Sequence, residues 1–224
     1  MRPRLAIALP ALALALLIAL ILAVLLGNGS SDRSSTATYA NPAGGGNDSR
    51  FDGAALPAGI AAPDFTLTDR DGSSISLKQY RGQVTVLTFL YSTCGAACVV
   101  IAEQIRGALD DLRTPVPVLI VSANPRADTP ASIGRFLTEV GLTGRVRYLT
   151  GPPARLRELW RSYRVTPASA GRAAFSRHAS VLLIDRHGDE RVLYQQEQLT
   201  PETLAHDIGI LDGDPTHPDT LAGR

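Results

Sequence analysis

Apolar and polar positions follow two rhythms along the chain, and each switch between them marks an element. Around the turn Asp69-Arg70-Asp71-Gly72, Phe65 and Leu67 on one side and Ile75 and Leu77 on the other alternate with polar residues, the pattern of a short β-ribbon. Residues 84–91 form a dense β-branched and aromatic run, as expected of a central strand buried on both faces. Ile101, Ile105, Leu109 and Leu112 then recur at helical spacing and predict an amphipathic helix of about four turns. A second apolar strand follows at 116–121. Asp128-Thr129-Pro130 reads as a cap and early proline opening a helix that buries Ile133, Phe136, Leu137 and Val140 and stops at Gly141.

The alternation continues with a strand at 146–149 and, beyond Gly151-Pro152-Pro153, a helix whose Leu156, Leu159, Trp160 and Tyr163 face inward. Trp160 is read as core. Strands at 180–185 and 191–194 flank the turn Arg186-His187-Gly188-Asp189 as an antiparallel hairpin, and a last helix starts at Thr200-Pro201-Glu202. Strands alternating with helices predict an α/β fold: a mixed central sheet flanked by helices, with an N-terminal β-ribbon, a C-terminal hairpin and right-handed crossovers. That order is compatible with a thioredoxin-like fold.

Ahead of this domain, residues 5–26 carry no charge and follow Arg2 and Arg4. As a helix the run is long enough to cross the roughly 30 Å hydrocarbon layer. A cleaved signal peptide has a shorter apolar region and a small-x-small site close behind it, so residues 1–26 are expected to be an uncleaved anchor, with release after cleavage as the alternative. The basic flank stays in the cytoplasm, which places the remainder on the extracytoplasmic face of the cell membrane, periplasmic or outer. Residues 27–55, rich in Gly, Ser, Asn and Pro, are expected to be a flexible linker, 56–211 the folded domain and 212–224 a tail.

Charge excludes one class of partner. With 22 basic against 21 acidic residues the net charge is +1, so no nucleic acid is expected as a general partner. Cysteine narrows the chemistry further. Cys94 and Cys98 are the two cysteines of the chain, too few for a disulfide scaffold. They stand where a buried strand passes into a helix, and there the helix N-terminus and its free N–H groups favour thiolate, the soft ligand preferred by Cu(I).

On a regular helix, side chains four apart lie about 5–6 Å apart at Cβ, farther than the roughly 3.5–4.5 Å of a disulfide. Cys94 is therefore expected in the loop before the helix, with Gly95 giving the backbone the freedom to close a bridge or open around an ion. A neutral imidazole is the natural third ligand. His187 in the hairpin turn, His206 on the last helix and His217 in the tail are read as solvated. His178, just before a predicted central strand, is placed on topology in the loop that faces the cysteines.

The ordered set Ala62-Pro63-Asp64-Phe65, the segment Thr88-Phe89-Leu90-Tyr91-Ser92-Thr93-Cys94 with Cys98, Pro125 through Asp128-Thr129-Pro130, and His178 before Val181-Leu182-Leu183-Ile184-Asp185 resembles the SCO/SenC copper proteins. The resemblance implies a thioredoxin-like domain binding one copper, as Cu(I) or Cu(II), through Cys94, Cys98 and His178. It implies a role in assembling the dinuclear copper centre of cytochrome c oxidase, with the copper-bearing oxidase subunit as partner and a thioredoxin-like reductant or another copper chaperone beside it. This chain departs from the family in having Gly95-Ala96-Ala97 and then Val99 where an acidic residue and proline are common, and Asn124 where aspartate is usual. Both changes remove negative charge near the cysteines.

Metal carriage competes with enzymatic thiol-disulfide exchange, in which one of Cys94 and Cys98 attacks a partner and the other resolves the mixed disulfide. Three intervening residues, against two in thioredoxin motifs, argue for a dedicated reductase over a general one. A peroxidase is disfavoured by the closeness of the second cysteine, and a copper or redox sensor stays open.

Overall fold

The two densest apolar runs become neighbouring central strands, because only a strand covered on both faces can bury every residue it has. In the computed structural model, which describes residues 50–213, these are β4 (Thr85–Leu90) and β5 (Val118–Ser122), both buried along their whole length. The other strands are β1 (Ala54–Ala55), β2 (Thr66–Asp69), β3 (Ser74–Ser76), β6 (Arg147–Thr150), β7 (Ser180–Ile184) and β8 (Glu190–Gln195), in the order β1-β8-β7-β4-β5-β6-β2-β3. The β4–β5 and β5–β6 pairs are parallel, and β7 is antiparallel to β4, with Val86 opposite both Val118 and Leu183. The expected ribbon β2–β3 is present and joins the sheet antiparallel to β6, Thr68 opposite Thr150.

Helices α1 (Ala96–Asp111), α2 (Pro130–Glu139), α3 (Pro153–Ser162), α4 (Arg172–His178) and α5 (Pro201–Asp212) cover the two faces. The period of two along each strand divides the core. Val86, Leu90, Val118 and Ile120 face one way, toward Ile101 and Ile105 of α1, Phe136 of α2, Phe175 of α4 and Ile208 of α5. Leu87, Phe89, Leu119 and Val121 face the other way, toward Leu156, Leu159 and Trp160 of α3 and Phe65 and Leu77 of the ribbon. Trp160 is core, as read, and its Nε1 donates to the Ser122 carbonyl at 3.0 Å.

Several boundaries differ from the pattern-based expectation. The buried stripe of α1 is Cys98, Ile101, Ala102, Ile105 and Ala108, while Leu109 is half-buried and Leu112 is the residue that ends the helix. Small residues suffice there because α5 comes close: a Cβ on Gly107 would stand 2.7 Å from Pro201. Asp128 does not cap α2. Thr129 does, its hydroxyl accepting from Ser132 N at 3.1 Å, which leaves Asp128 free to point elsewhere.

Residues 50–55, read as the end of the linker, are part of the fold. Ala54 and Ala55 pair with β8, and the N–H groups of Asp52 and Gly53 donate to the fully buried Asp207 at 2.9 and 3.0 Å. His206, read as solvated, is half-buried, with Nδ1 2.8 Å from Asp207 and 3.2 Å from Asp52. Their short polar side chains carry no apolar signal, so this anchorage was invisible in the pattern. Among the described residues no helix is long and apolar enough to cross a membrane; the expected anchor 1–26, most of the linker and His217 lie outside the described residues.

Candidate metal and redox site

Because β4, β5 and β6 run parallel and β7 runs against them, four connections meet at one edge of the sheet. They are the turns after β4, β5 and β6 and the segment entering β7. Cys94 and Cys98 lie in the first of these. Cys94 N donates to the Tyr91 carbonyl at 3.1 Å, a tight turn directly off β4, and α1 begins at Ala96. Gly95, between turn and helix, has φ +85 and ψ −151, a conformation essentially confined to glycine. The two cysteines form a disulfide with Cα atoms 5.9 Å apart, inside the range an unforced backbone offers. Keeping Cys94 off the helix is what makes the bridge possible at this spacing. Both sulfur-bearing residues are buried, Cys94 with 2% and Cys98 with 0% of its surface exposed, so exchange with a partner requires the cover over them to open.

The electrostatic setting is one-sided. The first turn of α1 has no side-chain cap and no acidic residue, so the positive end of its dipole stays unneutralised beside the sulfurs. Arg172, the first residue of α4, brings its guanidinium to within 3.8 Å of where a Cβ on Gly95 would be. Phe175, one turn later, packs edge-on against Tyr91 with ring centroids 4.9 Å apart. The α4 segment is thus the lid on the cysteine turn.

Beneath the turn, Asp128 ties the cysteine turn to β5 and β6. Its Oδ1 accepts from Ser92 N at 2.7 Å, and its Oδ2 accepts from the hydroxyls of Ser122 at 2.5 Å and Tyr148 at 3.0 Å. Ser92 lies in the turn after β4, Ser122 ends β5 and Tyr148 reaches up from within β6, so one buried carboxylate ties the cysteine turn to two neighbouring strands. Burial, reinforced by the Asp128 carboxylate, pushes the Tyr148 phenol well above its ordinary range and keeps it a donor. The pattern Asp128-Thr129-Pro130 announces a capped helix start, and an aspartate directly before the capping threonine is the available signal that a further role is open to it.

His178 is the last residue of α4 and exposed, where a loop residue was expected. The helix was missed because Phe175 is its one large apolar residue, too little for a periodic signal. Nδ1 stands 2.8 Å from the Ala174 carbonyl. A carbonyl only accepts, so Nδ1 carries a proton, and in a neutral ring this bond leaves Nε2 as the nitrogen able to bind a metal, as in histidine ligands held by their backbone. With the sulfurs bonded to each other, Cys94, Cys98 and His178 do not form a compact ligand group. Among the described residues the three donors found within 4.8 Å of one another are those of Asp52, His206 and Asp207. The carboxylates of that group are already taken up by the backbone N–H groups of Asp52 and Gly53, by the Tyr194 hydroxyl and by His206.

A disulfide-forming pair at the junction of a buried strand and a helix, in a mixed sheet with helices on both faces, defines a thioredoxin-like dithiol protein. The chain belongs to the SCO1/SenC family, whose description matches residues 54–211. Among proteins of known name, it is 34% identical over 82 residues to peroxiredoxin Bcp of Escherichia coli, covering 36% of this chain and 50% of that protein. It is 28% identical over 113 residues to the mitochondrial SCO2 homolog of Bos taurus, covering 48% and 42%. The chain thus spans about half the length of these relatives. Among solved structures, copper-bound ScoI of Bradyrhizobium japonicum matches with a TM-score of 0.51 and 26% identity, over 68% of this chain and 99% of that one.

Proposed function

We propose that this protein carries a single copper ion on Cys94, Cys98 and His178 and serves assembly of the dinuclear copper centre of cytochrome c oxidase from the extracytoplasmic face, anchored by residues 1–26. The observation that carries the reading is the chemistry of the donor set: two sulfurs that can part around an ion, and an imidazole whose Nε2 is left free by the Nδ1 bond to Ala174. Soft thiolates suit Cu(I), and a third nitrogen donor extends the site to Cu(II). Membership of the SCO1/SenC family and the likeness to a copper-bound ScoI support it.

In the disulfide form the sulfurs hold no metal. A dithiol reductant of the thioredoxin class must first supply two electrons and two protons, leaving Cys94 and Cys98 as thiols and itself as a disulfide. Metal then displaces the thiol protons, so loading releases protons and weakens as pH falls. Reduced full-length protein should bind about one Cu(I), Cys98→Ser should abolish binding, and His178→Ala should weaken it and block transfer to an oxidase copper-site fragment. Stoichiometric copper on the Cys98→Ser protein would end this reading.

The disulfide itself favours a second reading, a reductant dedicated to the cysteines of the same recipient. In that case His178→Ala should leave reduction of the recipient unchanged.

A further inference from the structure

The connections nearest the cysteines are rich in arginine. In the four central connections there, residues 91–98, 123–131, 151–157 and 165–179, the sequence holds Arg126, Arg155, Arg157, Arg172 and Arg177 against one acid, Asp128; the turn after β8, on the same side of the sheet, adds Glu197. Asp128 is buried and bound to the cysteine turn, β5 and β6. Arg155 is offset by Glu158 at 3.1 Å. The other four arginines are exposed and make no ion pair among the described residues.

Among the other arginines, Arg106 and Arg145 share Asp110, Arg147 meets Asp69, Arg186 meets Asp212 and Arg191 meets Asp185.

The edge also has a shape. Arg126 and Arg157 line a cleft of about 390 Å³ floored by Trp160 and walled by Asn124 and Ala168, with no acidic residue in its lining. The cleft abuts the cysteine turn through backbone: Ala123 N donates to the Leu90 carbonyl at 2.8 Å, and Ala168 N donates to the Ala123 carbonyl at 3.3 Å. Arg172 lies against Gly95 on the other side of the turn. We infer that this edge is a docking surface for a protein partner whose own cysteines are set in an acidic face, with Arg126 and Arg157 receiving carboxylates in the cleft while Arg172 steers the approach to the bridge. A protein suits it better than a lipid surface, because the cations surround a concave cleft and a buried disulfide that a flat membrane would not reach.

The inference rests on reading Cys94–Cys98 as a site of exchange with a partner, and it does not depend on the metal. Two peptides carrying the same cysteine pair, one flanked by glutamates and one by lysines, are offered to the oxidised full-length chain in neutral detergent. Each reacts by disulfide exchange, the peptide dithiol becoming a disulfide and Cys94 and Cys98 becoming thiols, so electrons and protons balance. At about 10 mM salt, where charges are felt over about 30 Å, the glutamate peptide should react about tenfold or more faster; by about 1 M salt, where the range is about 3 Å, the difference should vanish. Arg126→Glu with Arg157→Glu should invert the preference while leaving reduction by uncharged dithiothreitol unchanged.

Equal rates for the two peptides at low salt would overturn the inference, as would a preference that survives high salt or the double substitution. If the peptides react alike and phosphatidylserine added to the micelles slows exchange by the native chain alone, the edge faces lipid and the inference fails. Failure of both peptides to react at all would sink the exchange reading and this inference with it. Loss of copper binding alone touches only the proposed metal role.

Discussion

Replacing Asp128 tests the idea that one carboxylate holds the cysteine turn in place. Asp128→Ala removes the acceptor for Ser92 N, the Ser122 hydroxyl and the Tyr148 hydroxyl, bonds of 2.7, 2.5 and 3.0 Å. Each hydrogen bond to a charged group is worth about 1.5–3 kcal/mol. The three share one acceptor and are not additive, and Tyr148 has a fallback in the Leu90 carbonyl at 3.5 Å, so the total is about 3–5 kcal/mol. Asp128→Asn keeps one acceptor oxygen, and the two hydroxyls can turn to accept from its amide, so its cost should be about 1–2 kcal/mol. With a urea slope of about 2 kcal/mol/M, the alanine protein should unfold about 2 M earlier than the parent and the asparagine protein within about 1 M of it. Amide exchange at Ser92 should quicken in both, because its donor loses a charged acceptor. An alanine cost below about 1 kcal/mol, or asparagine as damaging as alanine, would refute the account of Asp128 as the anchor of the cysteine turn on β5 and β6.

Other substitutions probe other parts of the chain. Gly95→Ala meets no close atom, since Arg172 stands at 3.8 Å, so its cost of about 1–3 kcal/mol should come from the backbone alone and appear as a lower thermal midpoint; a neutral substitution would mean that the turn adopts another conformation in solution. Burial raises the Asp185 carboxyl, but the N–H groups of Asp189 and His187 and the Arg191 guanidinium outweigh it, and the net shift is below the ordinary carboxylate value. The stability this carries is therefore present above about pH 4 and lost as pH falls through the lowered value, and Asp185→Asn should flatten the acid limb of a stability–pH curve below that point. Asp207→Ala removes the acceptor for Asp52 N, Gly53 N and the Tyr194 hydroxyl, so limited proteolysis should cut near residues 50–55 much faster than in the parent; an unchanged cleavage pattern would show that the β1–β8 pairing alone holds that segment.

The sequence determined the features that rest on local repetition and local sterics. The dense apolar runs at 84–91 and 116–121, the helical spacing of Ile101 and Ile105, and the Thr-Pro starts of α2 and α5 each specify an element without reference to the rest of the chain. The same is true of the cysteine turn: four residues of separation and one glycine oblige Cys94 to leave the helix if a bridge is to close, and it does. Tertiary structure decided what depends on groups far apart in sequence. Asp128 became an anchor and not a cap because parallel packing of β4, β5 and β6 brings Ser92, Ser122 and Tyr148 to one point. Residues 50–55 joined the fold because Asp207 offers their N–H groups a buried acceptor from the other end of the chain. Helix α4, with a single large apolar residue, carried no period to read, yet Phe175 against Tyr91 places it over the cysteines and sets His178 at its end. Arg126, Arg157 and Arg172 belong to three separate connections in the linear sequence; folding those connections to one side of the sheet is what gathers them beside the sulfurs.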